Sequence, residues 1–178
     1  MKKIDTELSG VFILEPDVFE DERGFFFESY SKMKFPNEEI NFVQDNHSLS
    51  VKAGTIRGIH FQNEPFAQSK LVRCTSGELL DYVIDLRKDS KTFKKWIKVI
   101  LSSENKKMLF LPKGFGHATV TLKDNTEILY KVDNFYSKEH ERIINYKDKE
   151  INLDIDIENP ILSEKDRVAP FLKDCDIN

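Results

Sequence analysis

Short strand-like runs separated by polar turns cover most of the chain, and they limit the folds that it can adopt. Residues 79–86 alternate, which places Leu80, Tyr82, Ile84 and Leu86 on one face. Polar segments at 102–105 and 123–125 each join two such runs, as in hairpins. Helical periodicity is weak and is confined to short turns near 31–40 and 137–142. This pattern predicts an all-β sandwich or barrel with a few short helices.

Length and composition predict a soluble globular protein with one domain, spanning 1–178. Hydrophobic residues make up 39% and charged residues 33%, which is ordinary for a globular chain. No run approaches the ~18 apolar residues of a membrane span, and the first residues do not resemble a signal peptide. Cys74 and Cys175 are too few for a disulfide framework. We therefore expect a reduced, cytoplasmic setting and no membrane partner.

The net charge and a local basic cluster indicate which kinds of ligand the protein can bind. The net charge of -4 argues against nucleic acid as a partner, because such proteins normally carry a basic face. Strand-like sequence at 55–73 nevertheless contains Arg57, His60, Lys70 and Arg73 among apolar residues. A lone histidine there would most simply be a satisfied core residue. Polar groups inside β structure are costly unless paired or used, so the four together favour an anion-binding catalytic pocket.

The segment Pro112-Lys-Gly-Phe-Gly-His117 resembles the second motif of the cupins, a family of small jelly-roll barrels. Metal-binding cupins supply two histidines, one residue apart, and a glutamate from their first motif. Here Phe61 and Gln62 follow His60, so that set of ligands is missing. His117 then has too few partners for a three-ligand metal centre. The sequence therefore predicts a metal-free site that needs no cofactor.

A narrower resemblance covers nearly the whole chain. In order along the sequence, its motifs are similar to those of the dTDP-4-dehydrorhamnose 3,5-epimerase family, at residues 10–15, 21–29, 44–48, 57–62, 70–73, 85–88, 112–117, 127–131, 140–142 and 161–166. The resemblance implies a cupin-type jelly roll that epimerises C3, C5 or both of a nucleotide-linked 4-keto-6-deoxy sugar. It also implies a role in making deoxysugars for lipopolysaccharide or capsule.

The resemblance assigns catalytic roles that fit the chemistry. A 4-keto group acidifies the C–H bonds at C3 and C5, so each centre can invert by loss and return of a proton. His60 would be the base, oriented by Asp166, and Tyr130 would be the acid on the opposite face. Lys70 would stabilise the enolate oxygen. Ser163 reads as a helix N-cap three residues before Asp166.

The resemblance also implies substrate contacts and a partner. The residues expected to bind substrate are Arg23, Glu28, Gln44, Asn46, Arg57, His117, Glu141 and Lys165. Arginine forks suit a diphosphate because they form bidentate, charge-assisted hydrogen bonds. Family members are homodimers that exchange N-terminal strands. The consecutive Phe25, Phe26 and Phe27 must point to both faces of a strand, which is compatible with such a dimer.

Two departures from the family pattern leave alternatives open. Ser69 stands where glycine usually precedes the lysine, and Thr119 and Thr121 follow His117 in place of the usual small and aromatic residues. Because both changes lie near the expected pocket, the nucleotide could be dTDP or GDP, and the sugar a hexose or heptose. A nucleotide-sugar ketoisomerase on the same fold is one alternative function. A sugar-binding cupin without catalysis is another, although a pure binder needs no paired acid and base.

Overall fold

The computed structural model describes residues 1–177. The strands are β1 Lys2–Asp5, β2 Phe12–Glu15, β3 Phe19–Asp21, β4 Gly24–Phe26, β5 Gln44–Ser50, β6 Ile56–Gln62, β7 Lys70–Ser76, β8 Glu78–Asp85, β9 Trp96–Ser102, β10 Met108–Leu111, β11 Phe115–Thr121, β12 Thr126–Val132 and β13 Glu141–Ile143. Most of them form two antiparallel sheets. One sheet has the strand order β1-β2-β10-β7-β12-β5 and the other β13-β6-β11-β8-β9, while β3 and β4 form a separate hairpin. The predicted all-β, cupin-type jelly roll is confirmed.

Three apolar clusters hold the layers together. Between the sheets, Val72 and Ile128 of the six-stranded sheet pack with Leu79 and Val83 of the five-stranded sheet. Behind the five-stranded sheet, Ile59 and Tyr82 pack beneath the segment that includes Leu153, Ile155 and Ile157. Behind the six-stranded sheet, Phe12, Leu71 and Phe110 are covered by Tyr30, Phe35 and Phe42. Polar side chains on the inner faces therefore enter an otherwise apolar interior.

The alternation predicted for residues 79–86 is confirmed, and it has two buried faces. Leu80, Tyr82, Ile84 and Leu86 join the cluster behind the sheet, whereas Leu79 and Val83 point between the sheets. Asp81 lies on that inner face and is fully buried. A carboxylate in such a strand must find partners, because burying an unpaired charge is costly.

Helices are few and short, as predicted. The α-helix α1 covers Glu164–Arg167, and a 3-10 turn covers Leu172–Asp174. The predicted N-cap is confirmed, since Ser163 Oγ accepts the backbone N–H of Asp166 at 3.1 Å. Residues 31–40 form turns without a helix. Within residues 1–177, none of the helices has the length and apolarity that a membrane crossing requires.

A bulge at Gly58 sets the direction of two site residues. On β11, His117 pairs with His60 and Thr119 pairs with Arg57, so two steps on β11 match three on β6. The extra residue lets Arg57 and His60 share the inner face although three positions separate them. Gly58 has a φ of +128°, and a Cβ there would lie 2.5 Å from the carbonyl oxygen of His117. Only glycine fits this position without a shift of β11.

Candidate active site

A histidine–carboxylate pair joins β6 to α1. His60 Nε2 lies 2.6 Å from Asp166 Oδ1, and the carboxylate also accepts the Ser163 hydroxyl at 2.6 Å and the Gly58 N–H at 3.3 Å. The Asp166 side chain is 3% exposed and the His60 side chain 36%. The buried partner therefore fixes the ring, while the ring itself stays accessible.

The electrostatics of Asp166 determine which nitrogen of His60 can act as a base. Burial alone would raise the pKa of Asp166, but hydrogen bonds from His60 and Ser163 outweigh burial and hold that pKa below its ordinary value. An ionised carboxylate accepts the Nε2–H of the neutral ring. The lone pair then lies on Nδ1, so the geometry makes Nδ1 the proton acceptor.

A second histidine–carboxylate pair lies on the same sheet. His117 Nε2 is 2.7 Å from Asp81 Oδ1, and the two side chains are 12% and 0% exposed. Because His117 and His60 are paired across β11 and β6, the two rings project from adjacent strands. Both histidines thus engage carboxylates through Nε2.

Lys70 enters from the opposite sheet, at the first position of β7. Burial lowers the pKa of Lys70 to about 8, although the charges of Asp81 and Glu141 oppose this shift. Glu141 also interacts electrostatically with His60. Groups from both sheets therefore share one electrostatic environment.

Tyr130 lies on β12 of the same sheet, with its backbone paired to Val72 and Asn46. Burial raises the pKa of Tyr130, and the neighbouring positive charge of Arg57 works against that shift. Within residues 1–177 its hydroxyl makes no hydrogen bond. A packed structural tyrosine would normally satisfy its hydroxyl, so this one is available to a ligand.

Three predicted substrate-binding residues lie close to this group. Arg57 donates to Ser50 Oγ at 3.2 Å and to the Leu49 carbonyl at 3.1 Å, which ties β6 to β5 of the other sheet. On β5, Gln44 donates to Asn46 Oδ1 at 2.8 Å. Asn46 is directly opposite Tyr130, so β5 forms the wall beyond the tyrosine.

Glu141 and Lys165 form the outer rim on the His60 side. Lys165 Nζ donates to Glu141 Oε2 at 2.8 Å, and the Tyr136 hydroxyl donates to the same oxygen at 3.1 Å. Burial would raise the pKa of Glu141, but Lys165 and Tyr136 hold it below its ordinary value. The short helix α1 thus presents Lys165 to the rim and Asp166 to His60.

Arg23 and Glu28 are not brought to this group within the chain. Arg23 lies at the turn of the β3–β4 hairpin, where Nη2 is 2.6 Å from Asp21 Oδ2. Glu28 pairs with Lys34. Both side chains are exposed, at 85% and 50% respectively. Their assignment as substrate-binding residues stays a prediction.

Sequence reasoning missed Asp81 and gave Ser163 only a capping role. Ser163 also donates its hydroxyl proton to Asp166 Oδ2, so it supports the partner of His60 directly. Asp81 could have been found from the alternation at 79–86, which puts a carboxylate among apolar residues on the second buried face.

Of the departures from the family pattern, Thr119 lies on the inner face of β11 beside Arg57 and Asp81. Thr121 instead binds the Lys52 carbonyl and the Thr55 N–H.

Within residues 1–177, no group of three or more His, Cys, Asp or Glu side chains is arranged to hold a metal ion. His60 and His117 each engage one carboxylate through Nε2.

Nearly the whole chain is similar to one family of known enzymes. The family model for dTDP-4-dehydrorhamnose 3,5-epimerase matches residues 5–174. A curated relative of that name from Shigella flexneri is 52% identical over 99% of this chain and 98% of its own length.

Two solved structures extend the comparison. A crystal structure of dTDP-4-dehydrorhamnose 3,5-epimerase from Bacillus anthracis, with TDP and PPi bound, is 47% identical with a TM-score of 0.93, covering 96% of this chain and 99% of that one. A dTDP-6-deoxy-D-glucose-3,5-epimerase from Legionella pneumophila, in complex with dTDP-4-keto-L-rhamnose, is 38% identical with a TM-score of 0.92, covering 97% of this chain and 93% of that one.

The fold and these relatives define a cupin-type isomerase that acts on nucleotide sugars. The chain belongs to the dTDP-4-dehydrorhamnose 3,5-epimerase family. It is an epimerase that acts at C3 and/or C5 of a nucleotide-linked 4-keto-6-deoxy sugar.

Proposed function

We propose that this enzyme inverts both C3 and C5 of a dTDP-linked 4-keto-6-deoxyhexose, with His60 as the base and Tyr130 as the acid. One observation carries the proposal. His60, held by Asp166 of α1, projects from the five-stranded sheet, whereas Tyr130 and Lys70 project from the facing sheet. A sugar ring held between the sheets meets a base on one face and an acid on the other, as inversion requires.

Each inversion is a balanced transfer of two protons. His60 Nδ1 takes the proton from the carbon next to the carbonyl, and the C–H electron pair becomes the enolate with its negative charge on O4. Lys70 donates to that oxygen, and a donor aimed at developing charge is worth roughly 3 kcal/mol in a dry site. Tyr130 then gives its hydroxyl proton to the other face of the carbon. Proton exchange with solvent restores the histidine and the tyrosine.

The nucleotide is proposed to be dTDP. The support is the relatives, since similar enzymes have been solved with TDP and with dTDP-4-keto-L-rhamnose. The residues proposed to bind the substrate lie around the His60–Asp166 pair and Tyr130, and they are Gln44, Asn46, Arg57, Glu141 and Lys165.

Calorimetric titration with dTDP and with GDP tests the choice of dTDP as the nucleotide. Tighter binding of dTDP is expected, and a preference for GDP would overturn it.

A homodimer is proposed to complete the site. The β3–β4 hairpin pairs with neither large sheet, and Phe19, Phe25 and Phe26 on it are 67%, 60% and 68% exposed. Exposed apolar patches of this kind commonly mark protein contacts. Exchange of this hairpin would bring Arg23 and Glu28 to the substrate of the partner subunit. Sedimentation equilibrium should give twice the chain mass, and Phe26→Asp should yield monomers with weak activity. A monomeric, fully active parent enzyme would contradict exchange.

We propose that residues 1–178 act as one domain in the cytoplasm, without metal or organic cofactor, to supply deoxysugars for lipopolysaccharide or capsule. Dialysis against a chelator should leave the epimerisation rate unchanged. Recovery of a lost rate by zinc, iron or manganese would contradict the metal-free mechanism. Fractionation of the native cells, with the enzyme followed by antibody, tests the compartment.

A further inference from the structure

Asp81 is a buried carboxylate with only one hydrogen-bonded oxygen. Its side chain is fully buried on the inner face of β8, with Leu79 and Val83 on either side along the strand. His117 Nε2 is 2.7 Å from Oδ1. Among residues 1–177, Oδ2 has no hydrogen-bond partner. Native proteins seldom leave a buried oxygen in this state without a functional reason.

The charge that compensates Asp81 comes from the facing sheet. Lys70 interacts electrostatically with Asp81 and with Glu141. Three further titratable groups belong to this network: His117 is bonded to Asp81, His60 interacts electrostatically with Glu141, and Tyr130 lies two residues along β12 from Val132, the backbone partner of Lys70. A buried carboxylate loses its hydration, so the nearby cation and the histidine N–H become its main stabilisation.

This arrangement connects His117, a proposed substrate contact, with Lys70, the donor to O4 in the proposed mechanism. One oxygen of Asp81 holds the ring of His117, and the charge of the same carboxylate acts on Lys70. A neutral amide at this position would keep the shape of the side chain, but it would remove the charge that favours an ammonium opposite it.

We propose that Asp81 is a positioning residue, which fixes the ring of His117 through Nε2 and supplies the negative charge opposite the ammonium of Lys70, the donor to the developing enolate oxygen. The inference rests on the proposed function, because it concerns how Lys70 and His117 are held for that reaction. Asp81 does not touch the substrate. It acts through His117 and Lys70.

Asp81→Asn is the direct test, with Asp85→Asn as the matched control. Asp85 lies on the same strand and the same inner face and is equally buried, but its carboxylate binds Arg87, Ser90 and Thr92. Asp81→Asn should lower kcat by roughly 10²-fold, as expected for a misplaced catalytic donor. It should also move the alkaline limb of the kcat/KM profile about one pH unit lower. Asp85→Asn should reduce thermal stability and leave that limb in place.

A readout independent of turnover separates this proposal from the proposed function. The rate at which acetic anhydride modifies Lys70, followed by mass spectrometry against pH, reports the free amine directly. The midpoint should fall in Asp81→Asn and not in Asp85→Asn. Asp81→Glu, which keeps the charge, should retain a midpoint near that of the parent, and Asp81→Ser replaces Asp81→Asn if the latter does not fold. Equal midpoints in the parent and the neutral variant would overturn the inference, even if epimerisation is confirmed.

Discussion

His60 Nε2 lies 2.6 Å from Asp166 Oδ1, although 106 residues separate the two along the chain. The contact depends on three local features: the bulge at Gly58, the Ser163 cap of α1, and the burial of the carboxylate. The base is therefore assembled by the fold from two distant segments.

Asp166→Asn should make His60 a weaker base while it keeps a side chain of similar shape at position 166. An amide can donate to Nε2, which favours the wrong tautomer and places a proton on Nδ1. We expect kcat to fall roughly 10²- to 10⁴-fold, in the range of a lost general base. Ser163→Ala is the milder comparison, since it removes one bond to Asp166 and an N-cap worth about 1 kcal/mol. Steady-state kinetics should rank the parent above Ser163→Ala, and Ser163→Ala above Asp166→Asn. If Ser163→Ala were slower than Asp166→Asn, the proposal that the Asp166 carboxylate fixes the tautomer of His60 would be wrong.

Tyr130→Phe separates abstraction of the proton from its delivery. The ring stays, so His60 can still remove a proton and return it from its own face. We expect deuterium exchange from heavy water with little inversion, measured by NMR on the recovered sugar nucleotide. His60→Ala should abolish exchange and inversion together. Full inversion by Tyr130→Phe would show that another group is the acid.

Activity should decline as the pH rises through about 8. Burial lowers the pKa of Lys70 to about 8, so its ammonium is present below that pH and is lost above it. Because kcat/KM reports the free enzyme, its profile should show an alkaline limb near this value. Lys70→Gln should be slow at every pH and lack the limb. If the limb persisted unchanged in Lys70→Gln, it would belong to a different group.

Gly58→Ala should disrupt the site through the backbone. A Cβ at Gly58 would lie 2.5 Å from the His117 carbonyl oxygen and 2.7 Å from Ala118 Cα, so β11 must shift. We expect a loss of about 2–4 kcal/mol of unfolding free energy together with most of the activity. Gly24→Ala is a matched control, since its φ is +125° and nothing lies within 4 Å of an added Cβ. Chemical denaturation gives the loss of unfolding free energy in each variant, and a larger loss in Gly58→Ala measures the effect of the clash with β11. Equal losses in the two variants would show that the positive φ alone is responsible.

Much of the fold was predictable from the sequence because strand alternation and polar turns are local signals. Leu80, Tyr82 and Ile84 lie on one face as predicted, and Ser163 caps α1 as predicted. The short edge strand at Glu141–Ile143 was missed, since three residues carry too little periodicity. Asp81 was missed for another reason. The alternation at 79–86 places Asp81 on a buried face, but its role depends on His117 and Lys70, which belong to other strands and cannot be inferred from a pattern within one strand.

One base and one acid are proposed to invert two centres of the same sugar. Incubation of a dTDP-linked 4-keto-6-deoxyhexose with the enzyme in heavy water, followed by NMR and mass measurement, counts the centres that exchange and invert. We expect two deuterons in the product, one at C3 and one at C5, with both configurations inverted and the carbonyl still at C4. A single deuteron, a carbonyl moved to another carbon, or no incorporation would show that this mechanism is wrong.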